Sequence, residues 1–526
     1  MAIIGSGHAA MSAARGLVQR GFQPTIIDVG ELIEPSRQQI IDRLSNEHQE
    51  NWQKSDLQIL TENKTVHTAR PVRLAFGSDY VYGRNRPWNT DELETHGPSP
   101  TFAKGGYSTV WGGAMLPAET SDLTDWPIES TDLSRWYGEV LKTVPLAAEK
   151  DDLINAFPLH GEPDGVLPRQ PIVDGFLRDL SKKRFKRTPE TLAFGSARLA
   201  VRAGEKYQAQ QCTSCGRCLS GCVYGSIYSA LDDLKELSAK NSISYIPGVV
   251  VEKLEEKTNG IYVLGRRLDG DPFSKQFDHV FLAAGAISST RILMRSARIF
   301  NHELKMQTTQ GFVVPMLRVR HTRYPWPNTT TLTGMFLEVK LPQVSPHWMH
   351  CQISQANELV LAKLNYSGSK SLLDRIKRRA LGHLLIGLCN VHSKDAAHYG
   401  IKLSAPDKTS ANGTMTMSTH PSADYSNTSK KLGRHLLKLL APVGVIPLLP
   451  LKHGNPDKPI GWHFGGSLPM RDRPTEEWET DIYGRPSQWK RLSIVDSSVF
   501  PSLPSTTIAL LAMSNARRIA TSVPIQ

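Results

Sequence analysis

Four of the chain's six cysteines, Cys212, Cys215, Cys218 and Cys222, fall within the run C-T-S-C-G-R-C-L-S-G-C. Thiolates this close can converge on one compact inorganic centre. The spacing C-x2-C-x2-C-x3-C approximates the ferredoxin-type pattern for a [4Fe–4S] cluster. Val223 stands where a proline usually follows the last cysteine. Two rival chemistries use the same residues. Structural zinc usually draws paired thiols from two separated knuckles rather than four from one loop. Disulfides suit an oxidising compartment, which the flanking sequence does not suggest. A [4Fe–4S] cluster, or its three-iron [3Fe–4S] form, is the leading expectation.

The first thirty residues carry a second pattern. Ala2-Ile3-Ile4 reads as a strand, Gly5-Ser6-Gly7-His8-Ala9-Ala10 as a turn, and Met11 to Arg20 as an apolar-periodic helix. Pro24 to Asp28 then reads as a second strand ending in an acid. This is G-x-G-x-x-A in a βαβ setting, closed by Ala10. Gly5 permits the tight turn, and Gly7 lets a pyrophosphate approach the helix N-terminus. Asp28 can accept from a ribose hydroxyl. The pattern implies a dinucleotide without separating FAD from NAD. The opening strand is short, which suggests a trimmed N-terminus. Further on, Gly105, Gly106, Ser108, Thr109, Trp111, Gly112 and Gly113 form two Gly-Gly pairs around a small polar centre. Such a backbone can pass close against a flat ligand; a glycine-rich loop without a ligand is the plainer alternative.

The elements that must position these residues belong to a long chain. With 526 residues, two large domains are expected, each with its own core. Hydrophobic content of 40% and charged content of 21% describe an ordinary globular composition. There is no apolar run of the roughly 18 residues that a spanning helix needs. The N-terminus lacks the basic, apolar and cleavage regions of a secretory signal, so a cytoplasmic location is expected. A net charge of +12 suits acidic partners: phosphorylated or nucleotide-linked substrates, anionic lipid or an acidic electron carrier. No nucleic-acid motif accompanies the charge, and nucleic acid is not an expected partner.

Residues 31–95 read as a helical excursion, and 120–200 as short helices and loops with Trp126 and Trp136 in the core. A helix is predicted from Tyr228 to Ala239 and a strand from Ser242 to Val251. Alternating stretches at 311–319, 330–340 and 346–354 predict an antiparallel sheet. Two leucine-rich basic stretches, 372–386 and 430–440, have the pattern of helices that can lie in an anionic membrane surface. More often such helices are packed, with their leucines in the core.

Taken together, the blocks resemble the glucose–methanol–choline (GMC) flavoprotein oxidoreductases from end to end. The N-terminal G-S-G-H-A-A with Asp28 is similar to that family's FAD fingerprint, and G-G-Y-S-T-V-W-G-G-A-M to its flavin-cradling run. Phe281-Leu282-Ala283-Ala284-Gly285-Ala286 resembles its internal strand and turn. Gly461-Trp462-His463-Phe464-Gly465-Gly466 and Val495-Asp496-Ser497-Ser498-Val499-Phe500-Pro501 resemble its C-terminal motifs.

The resemblance implies an α/β fold, α+β overall. A Rossmann-like FAD-binding domain (1–125, 201–300 and 456–526) would be interleaved with a substrate part (126–200 and 301–455) built on an antiparallel sheet with helices. It implies FAD contacts at Ala284, Gly285, Asp496, Thr507, Ile508 and the backbone of Val250 or Val251. It also makes His463 the residue that removes or orients the hydroxyl proton. Leu503 stands where the family's second polar residue, Asn or His, is expected; another alignment puts Thr507 there. A subset of the family carries an iron–sulfur cluster and oxidises sugars or sugar acids, and the cysteine run is similar in placement. The implied activity is oxidation of a sugar- or polyol-like CH–OH group, with electrons passing singly to a ferredoxin, a cytochrome or a quinone. The same wiring run backwards would make a ferredoxin-driven reductase, and loss of the second polar residue would suit a non-catalytic FAD and cluster component.

Overall fold

The computed structural model describes residues 1–61, 74–83, 86, 92–93, 97–183, 191–325, 328–366, 368–408, 410–455, 457, 461 and 463–525. Trp462 and part of the 31–95 excursion lie outside these residues.

Short apolar runs build a parallel sheet of strands Leu492–Ile494, Val280–Leu282, Ala2–Ile4, Thr25–Ile27 and Ser244–Ile246, in that spatial order. Ala2 pairs with Thr25 on one side and Val280 on the other. Numbered along the chain the order is 5-4-1-2-3, the doubly wound arrangement in which a ligand crosses the carboxyl ends of the strands. The first helix, His8–Gln19, starts three residues before the predicted Met11 and packs on the last, Ala509–Ser522. Ser12 Oγ donates to Met513 O at 2.7 Å, and Arg517 Nε to Ser12 O at 2.8 Å.

A six-stranded antiparallel sheet follows the order Val445–Pro447, Gln310–Arg318, Leu384–Val391, Ser345–Gln355, Met335–Leu341, Leu192–Ser196. Strand residues alternate between faces. Leu337, Met349, Cys351 and Cys389 join Phe176 and Leu432 in one core, beneath helices Pro171–Lys182 and Tyr425–Leu440. The other face carries Phe336, Glu338, Trp348 and His350. A second five-stranded sheet contains Phe464–Gly465, Glu303–Thr308, His398–Leu403, Met415–His420 and Glu92–Leu93.

Several predicted boundaries move. The 228–239 helix begins at Ala230, because Ser229 caps it with a reciprocal bond from Asp232. The single strand expected over 242–251 is two: Ser244–Ile246 in the parallel sheet, and Val249–Lys257 in a three-stranded antiparallel sheet. Pro247 has no N–H to donate, and Gly248 turns the chain at φ +74°. The strand expected over 330–340 starts at Met335. Trp126 and Trp136 are buried.

Candidate active site

The nucleotide cradle is closed by contacts between motifs distant in sequence. Gly5 has φ +99°, and a Cβ there would stand 2.5 Å from Ala283 O, so the first strand and the Ala283–Gly285 turn require glycine at this crossing. Gly7 is the N-cap of the first helix, whose initial turn holds no acidic residue, leaving its N–H dipoles for an anion. Ala10 is buried against the sheet. Ser6 Oγ donates to Asp28 Oδ2 and accepts the Gly105 N–H at 2.8 Å. One hydroxyl thus joins the fingerprint, the acid at the strand end and the second glycine run. Burial raises Asp28 to about 6, against the opposing pull of Ser6 and the Val29 and Gly30 amides. Val250 packs with Val29 and Phe102 beside that acid.

In the glycine run, Gly105 and Gly106 both have positive φ, and a Cβ on Gly106 would come 3.5 Å from Gly7 Cα. Ser108 turns inward, donating to Gly105 O at 2.6 Å and accepting from Ala230 N at 2.9 Å. Thr109 Oγ1 donates to Gly106 O at 3.0 Å. Gly112 and Gly285 face open space that an added Cβ would enter without meeting an atom, while Gly113 turns at φ +71°. This glycine-lined space with an acid at one side fits a dinucleotide carrying a flat ring.

Asp496 does not reach outward for a ligand. Its Oδ2 accepts Gly285 N at 2.9 Å and Ser289 Oγ at 2.5 Å, and its Oδ1 accepts Ser498 N at 3.0 Å and Ser498 Oγ at 2.6 Å. Burial still raises its pKa. Its work is to hold the turn at Ala284 and Gly285. Ser289 is a partner that motif reading missed.

His463 precedes the strand Phe464–Gly465, which pairs with Gln307–Thr308. Gly466 N donates to Ser497 O at 2.9 Å, and a Cβ on Gly465 would stand 2.2 Å from Ser497 O. The histidine segment is therefore fused to the Asp496 segment. His463 Nδ1 lies 3.3 Å from Thr309 Oγ1. Burial, with the charge of His350 adding, lowers His463 to about 4. Behind it, His350 Nδ1 pairs with Glu338 Oε1 at 2.6 Å across two neighbouring strands, both side chains fully buried. That pair was not legible beforehand, because it depends on strand register.

Leu503 lies wholly within the large core. Its backbone exchanges hydrogen bonds with Ser393, at 2.9 and 3.1 Å, and its side chain has no part in polar chemistry. Thr507 Oγ1 accepts Leu116 N at 3.3 Å, and Ile508 caps the last helix. Thr506 Oγ1 is buried without a hydrogen-bond partner, the sort of hydroxyl that a bound group would satisfy.

The cysteine run folds as a loop with φ positive at Ser214, Gly216 and Gly221. Ser226 N donates to Cys222 Sγ at 3.2 Å, and Thr331 N to Cys218 Sγ at 3.5 Å. Burial pushes the Cys212 and Cys215 thiols up to about 12, with the charges of Cys218 and Cys222 adding. Cys212, Cys215 and Cys218 are thus costly to ionise unaided, Cys218 and Cys222 each accept an N–H···S bond, and a nearby cation would favour the thiolate forms. An aromatic group brings together residues of the fingerprint, the glycine run and the segment that follows the cysteines. His8 meets Trp111 edge-on at 4.3 Å and stacks on Tyr228 at 5.7 Å, and Trp111 Nε1 donates to Tyr228 O at 2.6 Å.

Asp122, His347 and His392 form a second cluster, with ligand atoms within 4.8 Å of one another. The two imidazoles stack at 3.8 Å, only 14° from parallel. Nitrogen lone pairs lie in the ring planes, so rings placed this way do not converge on one ion.

No family model matches the chain, and no curated protein matches it. Among solved structures, the chain is similar to the crystal structure of pyridoxine 4-oxidase from Mesorbium loti. The match has a TM-score of 0.58 and 14% identity, covering 99% of this chain and 98% of that one. At that identity the likeness is one of fold.

Proposed function

We propose that the chain is an FAD-dependent oxidoreductase of the GMC type acting on a CH–OH group. The supporting observation is the continuous series of contacts from His463 through Ser497 and Asp496 to Gly285, and from Ala283 to Gly5. It fixes a neutral imidazole relative to the nucleotide cradle. The fold likeness to a protein described as an oxidase of pyridoxine is consistent with this chemistry. Residues 1–125, 201–300 and 456–526 form the FAD-binding part, and 126–200 and 301–455 the substrate part.

Gly5, Gly7, Asp28, Gly105, Gly106 and Gly112 would hold the FAD, with Thr507 and Ile508 near the flavin end. Bound there, FAD supplies a two-electron acceptor for the hydrogen on the alcohol carbon. His463 holds the substrate hydroxyl and takes or orients its proton, with Nδ1 steadied by Thr309. Cys212, Cys215, Cys218 and Cys222 would hold an iron–sulfur cluster, which supplies one-electron chemistry suited to a protein or quinone partner. The +12 charge favours an acidic substrate, such as a sugar derivative bearing phosphate or a nucleotide.

A second reading has one observation behind it. Leu503 is buried where the family's second polar group is expected, which suits a component that binds FAD and cluster without turning over an alcohol.

Cofactor content tests the assignment. Protein purified without oxygen should release FAD on denaturation and contain about four irons per chain, the complement of four thiolate ligands. Stoichiometric zinc without iron or labile sulfide would remove the cluster. Absence of flavin would remove the oxidoreductase reading.

A further inference from the structure

The helix Leu372–Leu381 is built inside out. Its packed side is its polar side. Asp374 is buried, accepting Ser369 N at 2.8 Å and Ser369 Oγ at 2.9 Å. Lys377 Nζ reaches Asn365 O at 2.8 Å, and Arg378 Nε reaches Tyr366 OH at 2.9 Å. Leu381 alone enters the small core formed with Tyr324, Ala356, Leu361 and Tyr366. The apolar residues point out instead: Leu372 is 67% exposed, Leu373 60% and Ile376 59%. Leu373, Ile376 and the exposed Ala380 follow helical spacing along one stripe, flanked by exposed Arg375 and Arg379. Leu364, which ends the preceding helical turn, is 42% exposed with Lys363 and Lys370 nearby in sequence. A globular helix normally buries its apolar stripe, as the other basic stretch does: Leu432, Leu436 and Leu440 of Tyr425–Leu440 are fully buried.

We propose that this helix is a docking element for an anionic lipid surface, lying in the membrane interface with Leu372, Leu373 and Ile376 inserted. Three features favour that occupant. The stripe is apolar in its middle and cationic at its edges, the arrangement of an interfacial helix. The helix's one acid, Asp374, is turned into the protein, so every charge offered outward is positive. A second copy of the chain meeting this face across a twofold axis would set Arg375 and Arg379 against their own kind. No helix among the described residues is long and apolar enough to cross a membrane, so the contact is peripheral. This inference is independent of the redox assignment.

The test is co-sedimentation of the full-length protein, as purified with its cofactors, with vesicles of phosphatidylcholine alone or containing about a third phosphatidylserine. Binding is expected only to the anionic vesicles and is weakened by high salt. The Leu372→Gln/Leu373→Gln/Ile376→Gln variant should lose binding at least about tenfold. Because all three side chains are exposed, its thermal midpoint and visible spectrum should stay unchanged. Lys430→Gln/Lys431→Gln on the other basic helix should leave binding within about twofold. Failure of the wild type to bind anionic vesicles would overturn the proposal. So would retention of binding by the triple glutamine variant, which would mean diffuse attraction to the whole cationic chain. A concentration-dependent dimer abolished by the same variant would overturn it too, assigning the face to a second copy.

Discussion

His463 is neutral at working pH, because burial and the nearby charge of His350 hold it at about 4. A neutral imidazole can accept the hydroxyl proton or hold the hydroxyl for transfer. His463→Ala should slow anaerobic flavin reduction by roughly 10²–10⁴-fold, the usual cost of losing a general base, with FAD still bound. Since its folded-state pKa is depressed, the neutral form persists as pH falls, and His463 should contribute no histidine limb to the rate between about pH 5 and 8. Stopped-flow absorbance over that range measures both effects; unaltered reduction by the alanine variant would remove His463 from the mechanism. Residue type and spacing made Gly5, Gly7 and Asp28 legible as candidates, whereas His463 was legible only through the family resemblance. The Glu338–His350 pair was not, because its members are twelve positions apart and meet only when their strands align in register.

At the level of elements, the βαβ opening was legible because glycine, helix periodicity and a terminal acid agree locally. The break at Pro247–Gly248 was less so: the apolar pattern runs through it, and only the separate sheet pairings of Ser244–Ile246 and Val249–Lys257 reveal two strands. The strand Thr25–Ile27 delivers Asp28 into a buried corner where its pKa is about 6 instead of 3.8. The sign follows from proton binding. Between about pH 4 and 6 the folded state keeps a proton that the unfolded chain has lost, so stability falls as pH rises through that window. The shift corresponds to roughly 3 kcal/mol. In flavin-free protein, Asp28→Asn should remove this component, so that the variant gains stability relative to wild type between acid and neutral pH. Urea midpoints measured across the window read the difference, and parallel curves for the two proteins would show that Asp28 is not desolvated.

Across the whole molecule, after the opening Ala2–Ile4 and Thr25–Ile27 the chain returns three times to the parallel sheet, at Ser244–Ile246, Val280–Leu282 and Leu492–Ile494. It is this return that brings the His463 and Asp496 segments onto the opening turn. Motif order along the sequence anticipated the meeting, whereas the outward apolar face at Leu372–Ile376 needed burial to be seen, since amphipathic spacing does not say which side packs. The central claim is that the assembled site oxidises an alcohol with its flavin. Its most direct test is anaerobic mixing of the purified protein with a panel of polyols, sugars and phosphorylated or nucleotide-linked sugars while the flavin absorbance is followed. At least one should bleach the flavin in a single turnover and yield the corresponding carbonyl product. A flavin that dithionite bleaches but no alcohol in the panel reduces would contradict the account.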